Sequence, residues 1–222
     1  PRHYGFLLVA AMAVPLASVL ILRNGLLRLL ALVAVVLTGF ALTYTLSRTA
    51  IYSAAACATA AIGLYLIRTR RIVTLLLLLA AAACGPFVLG SLSSGESYLA
   101  YRLFDTDNDY FVESSGPRIT DLVTPFKEAI EKPYIWLLGM GPTKAILLGS
   151  AHSEIGYVFH RYGLPGLIFV FSLISIVTQC SLRLFFGKTT PAEAIISLAA
   201  LLVAINWSIT MFAESIIHDP QR

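Results

Sequence analysis

Six stretches of this chain are long and apolar enough to cross a membrane, and that limits what it can fold into. A bilayer core about 30 Å thick is spanned by a helix of about 20 apolar residues. The stretches are 4–22, 26–46, 49–67, 72–92, 164–179 and 194–212. The fifth is short by itself, and its helix is expected to begin nearer Ser153. In hydrocarbon every backbone polar group must be bonded internally, which leaves helices or closed barrels. Runs of this length predict an all-α, polytopic transmembrane helical bundle of about six spans. Charged residues make up 13% of the chain, about half the share usual in a soluble domain. The 222 residues are therefore read as a single membrane domain, 1–222. The first run is followed by others of its kind and is not read as a signal peptide. An opening of Pro-Arg-His and an ending of "IIHDPQR" are read as those of the C-terminal part of a longer protein.

Charge gives the orientation. Arg23 and Arg28 lie in the first linker, Arg68, Arg70 and Arg71 in the third, and Arg183 and Lys188 in the fifth. The positive-inside rule puts these three linkers in the cytoplasm. The linker holding Arg48 and the long segment 93–153 then face outward. That segment is chemically distinct, because nine of the twelve acidic residues lie between Glu96 and Glu154. The net charge of +4 is an orientation signal. No basic patch interleaved with aromatics is present, so nucleic acid is excluded as a partner.

Within the outer segment, "RITDLVTPFKEAIEKP" places Ile119, Leu122, Val123, Phe126, Ala129 and Ile130 on one helical face. An amphipathic helix is expected on the outer membrane surface or against the bundle. Glu128 and Lys132 are spaced to pair on its wet face, and Pro125 either kinks the helix or starts it behind Thr124. "YIWLLGMGPTKAILLG" should dip back as a re-entrant or interfacial loop, broken at Gly139, Gly141 and Pro142.

Several constellations are set aside. "DTDNDYFVESSG" begins like a calcium loop but has Tyr110 where glycine is needed and Gly116 where glutamate is needed. His152 and His160 are eight apart, not the four of a zinc-protease helix. Ser150 and Ser153 lack a nucleophile motif. No metal and no cofactor is expected. Cys57, Cys84 and Cys180 lie in apolar runs without ligand spacing and read as small buried hydrophobes.

The outward arginines carry more. Arg48 stands in "LTYTLSRTAIYSA", where the inside rule predicts few cations, and Arg118 opens the amphipathic helix. Guanidinium stays charged and donates in a planar fork, which suits phosphate or pyrophosphate. His152 adds a group that takes a proton near neutral pH. Together they suggest group transfer from a phosphate-activated lipid.

Three segments, in this order, resemble the O-antigen ligase and polymerase superfamily of bacterial inner-membrane glycan transferases. They are "TLSRTAIYSA", "PRITDLVTPFKEAIEKPYIWLLGMGP" and "AHSEIGYVFHRYGLPGLIFV". The resemblance runs from about Leu26 to Phe212, with Ser153 where the family often has asparagine. It implies a GT-C-like, metal-independent glycosyltransferase in the bacterial inner (plasma) membrane, multi-pass, with its active site facing the periplasm. The donor would be an undecaprenyl-pyrophosphate-linked glycan, and the acceptor a glycan or lipid A-core. Arg48 and Arg118 would grip the pyrophosphate, and His152 would orient or deprotonate the acceptor hydroxyl. Glu154 and Tyr157, in the same segment as His152, would contact substrate. The reading leans to polymerase, although the sequence does not separate polymerase from ligase, because the two share donor chemistry and differ in acceptor. The rival readings are a transporter or flippase of lipid-linked sugar and a non-catalytic membrane scaffold. Tyr98, Tyr101, Tyr110 and Trp136 are candidate sugar-stacking residues or interfacial anchors.

Overall fold

The computed structural model describes residues 2–45, 47–70, 123–141 and 154–213, and the described secondary structure is helical. In chain order the helices are α1 (Arg2–Ile21), α2 (Gly25–Tyr44), α3 (Arg48–Arg68), α4 (123–131), α5 (Tyr134–Leu138), α6 (Glu154–Phe186) and α7 (Pro191–Ala213). Five of them, α1, α2, α3, α6 and α7, are long and apolar enough to cross a membrane. The expected span at 72–92 lies outside the described residues, as does the outer segment apart from 123–141.

Local sequence sets the helix starts. Asn24 opens α2, its Oδ1 accepting from the Leu26 N–H at 3.0 Å. Ser47 opens α3 by accepting from the Ala50 N–H. "TTPAE" opens α7 as a capping box: the Glu193 carboxylate accepts from the Thr190 N–H at 2.8 Å, and Thr190 Oγ1 accepts from the Glu193 N–H. Pro191 occupies the first helical position, where its missing N–H costs nothing.

α7 is the hub, packing against α6, α1 and α3. Of its spanning stretch 56% is buried, against 6% for α2, which rests on α1 at the margin. Leu26, Leu30, Val33, Val36, Leu37 and Phe40 of α2 are exposed, as suits side chains that meet lipid. The core joins Phe6, Val9 and Ala13 of α1 to Ala50, Cys57 and Ala61 of α3 and Leu198 and Leu202 of α7. Small residues bring backbones close: a Cβ on Gly5 would meet that of Ala50 at 2.7 Å. Membrane helices rely on such packing and on interhelical hydrogen bonds. Here Ser53 Oγ donates to Asn206 Oδ1 at 2.6 Å, and Asn206 Nδ2 donates to the Phe6 carbonyl at 3.3 Å.

The helix ends sort as the charge pattern requires. Arg68, at the end of α3, lies 4.8 Å over the Phe185 ring and donates to Thr189. The third and fifth linkers thus share one end of the bundle. The starts of α1 and α3 and the last turns of α7 share the other.

One expectation is corrected. Cys180 is exposed on α6, while Cys57 is buried; a membrane helix offers apolar positions on its outer face as well. In α4, Pro125 and Ala129 are buried and Phe126 half-buried, while Ile130 is 73% exposed and Val123 is also exposed. The docked seam is thus turned away from the full apolar stripe. Ile119 and Leu122 lie outside the described residues.

Candidate functional site

α6 is two helices joined at a kink. Pro165 has no N–H to give the Arg161 carbonyl four residues back. Gly163, at φ 66° and ψ −160°, breaks the helix. The segment after α5 fills the gap: the Met140 N–H donates to the His160 carbonyl at 2.7 Å, and the Gly141 N–H to the Arg161 carbonyl at 3.2 Å. Contact is backbone to backbone. A Cβ on Gly163 would meet the Ile135 carbonyl at 2.7 Å, and one on Gly139 would fall on the Arg161 carbonyl. Both glycines have positive φ, a region that disfavours other residues.

The outer part of α6, 154–160, is therefore buried throughout. α4 and α5 cover it with a cluster of aromatic rings: Phe126 stacks on Phe159 at 4.3 Å, and Trp136 meets Phe159 edge-on at 5.1 Å. Trp136 thus anchors the loop while staying partly exposed. From α7, Trp207 and Met211 complete the same cluster.

Polar groups sit inside this apolar packing. His160 is 2% exposed, and its Nε2 lies 2.9 Å from Glu128 Oε2 on α4. With Glu128 ionised, Nε2 carries the hydrogen and donates it. His160 Nδ1 has no partner among the described residues. This contact corrects the expected pairing of Glu128 with Lys132. A buried imidazole needs a partner, and the turn of α4 that buries Ala129 brings Glu128 to it.

Glu154, the first residue of α6, is 2% exposed. Trp207 is a polar neighbour of its carboxylate, yet neither oxygen reaches hydrogen-bond geometry with any described residue. Leaving such a group buried is costly. Tyr157, one turn on, is also buried, and its hydroxyl accepts a hydrogen bond from Arg161. The Arg161 guanidinium lies 5.5 Å from the Tyr157 ring centroid and 5.4 Å from that of Tyr162.

Of the residues singled out from sequence, Glu154 and Tyr157 thus share one turn of α6. Arg48 is the first residue of α3, at the same end of the bundle, since Ser53 of α3 bonds Asn206 beside Trp207. Arg118 and His152 lie outside the described residues, as do Tyr98, Tyr101, Tyr110, Cys84 and the acidic run from Asp105. Among the described residues no group of three or more His, Cys, Asp or Glu is placed to hold a metal ion. The sequence reading missed the Glu128–His160 contact. It weighed His160 only as a zinc ligand, although a histidine inside "GYVFHRYG" already asks for a partner. Comparisons with family models, with curated proteins and with solved structures returned no match.

Proposed function

We propose that the chain is a membrane glycosyltransferase of GT-C-like architecture in the bacterial inner membrane. In this reading it takes a glycan from an undecaprenyl-pyrophosphate donor and passes it to an acceptor hydroxyl on the periplasmic face, polymerising or ligating surface polysaccharide. The observation that carries the reading is the docking of α4 and α5 onto the start of α6. In the chain, α4 begins five residues after Arg118 and α6 begins two residues after His152. Arg48 heads α3 at the same end of the bundle.

The chemistry follows from these groups. The bond between the anomeric carbon and the pyrophosphate oxygen breaks, and its electron pair leaves with the pyrophosphate. Arg48 and Arg118 stabilise that charge. The acceptor oxygen bonds to the anomeric carbon, and its proton passes to His152. Beyond the kink, α6 presents an open apolar face with Leu164, Ile168, Phe171 and Ile176, a surface suited to a polyprenyl chain.

Deleting the gene and sizing the undecaprenyl-linked glycans tests this reading. Accumulated single repeat units indicate a polymerase, and long chains that never reach their acceptor indicate a ligase. An unchanged lipid-linked pool contradicts both.

One observation favours a second reading, transport of a lipid-linked sugar. A buried carboxyl such as Glu154, without a hydrogen bond among the described residues, at the head of a membrane helix marks ion pathways in carriers. Loss of the protein would then trap the lipid-linked glycan in the inner leaflet.

A further inference from the structure

We infer that Glu128 and His160 are positioning residues for the proposed transfer, fixing the rotation of α4 on α6. The inference rests on the transferase reading above and assigns roles to two residues outside its set of reacting groups. Glu128 lies ten residues after Arg118, and His160 eight after His152. Their side chains meet at 2.9 Å across 32 residues of chain.

Adhesion alone does not call for this pair. Phe126 on Phe159 and Ala129 in the core already hold α4 down. An apolar residue at 160 would extend that packing without burying an imidazole whose Nδ1 has no partner among the described residues. Buried polar pairs are often no more stabilising than apolar replacements of the same size. What they add is discrimination among registers. Aromatic rings tolerate sliding and rotation, whereas Glu128 reaches His160 at one rotational setting of α4. The Met140 and Gly141 N–H groups, bonded to the His160 and Arg161 carbonyls, fix the same setting from the other end of the loop. Neither Glu128 nor His160 has to touch substrate. A displacement of about 1 Å in a reacting group lowers rates about 100-fold, so a slipped α4 is felt in the chemical step.

The test uses the intact protein in membrane vesicles, with undecaprenyl-linked glycan extracted from the deletion strain as donor and the cell's own acceptor. His160→Leu and Glu128→Ala should each lower kcat about 10- to 100-fold, with donor KM within about threefold of wild type. The double variant should be no slower than either single one. Glu128→Gln, which keeps an acceptor oxygen, and His160→Gln, which keeps a donor at the same reach, should recover most of the rate. Should His160→Leu fail to reach the membrane, the pair Glu128→Ala and Glu128→Gln, at the more exposed partner, decides the matter. A kcat within twofold of wild type in Glu128→Ala overturns the assignment, as does a loss confined to KM. Absence of transfer by the wild-type protein overturns the transferase reading and this assignment with it. Transfer by wild type and by every variant alike overturns the assignment alone.

Discussion

A side chain at Gly163 would meet the Ile135 carbonyl at 2.7 Å, so the kink of α6 and the first residues of α5 are packed backbone against backbone. Two penalties apply to Gly163→Ala: this clash and a φ of 66°. With ψ at −160° this backbone lies in a region open essentially to glycine alone, at a cost of about 1–3 kcal/mol for a residue with a Cβ. Gly163→Ala should therefore lower the thermal midpoint of the detergent-solubilised protein and loosen α5. Gly39→Ala, with nothing within 4 Å of the added Cβ, should not. Equal midpoints for the two variants would contradict the packing described.

Asn206 bridges three helices, accepting from Ser53 and donating to the Phe6 carbonyl. Interhelical hydrogen bonds in membranes contribute about 0.6 kcal/mol on average and up to about 1.7. Asn206→Ala, which removes both, should destabilise the bundle by about 1–2 kcal/mol. Ser53→Ala should cost less, because the bond to Phe6 remains. Unfolding in mixed micelles, followed for both variants, gives the order directly.

Glu154 sets stability against function. Its carboxylate is buried without hydrogen-bond partners among the described residues, and an unpaired buried charge is destabilising. Glu154→Gln should leave the thermal midpoint unchanged or raised while lowering glycan transfer at least about tenfold, as expected where a destabilising group is kept for activity. A variant that loses stability and keeps activity would show that Glu154 is structural.

Much of the fold was legible because apolar length and linker charge are local properties. Five of the six expected spans are helices in the described residues. The meeting of Arg68 with Phe185 and Thr189 agrees with the grouping of linkers by their arginines. The capping box at Thr190 and Glu193 also reads directly from "TTPAE". What periodicity could not supply was the rotation of α4. Its apolar stripe includes Ile130, which the structure leaves exposed, because the docked seam is decided by tertiary partners, Phe159 and His160, distant in sequence. The sequence marked Gly139 and Gly141 as helix breakers but expected the fifth span to run on from near Ser153, and did not show the kink at Gly163. The carbonyls freed at Pro165 and Gly163 need donors, and only the fold shows that Met140 and Gly141 provide them. Within the site, Glu154 and Tyr157 were found from their place beside His152. His160 was passed over because its partner is distant in sequence.

The central claim is that the outward arginines and His152 perform a transfer reaction, and complementation of a deletion strain tests it most directly. Arg48→Ala, Arg118→Ala and His152→Ala should each reach wild-type membrane levels yet leave the undecaprenyl-linked glycan untransferred, as in the deletion itself. Wild-type glycan on the surface of cells carrying Arg118→Ala or His152→Ala would contradict the claim.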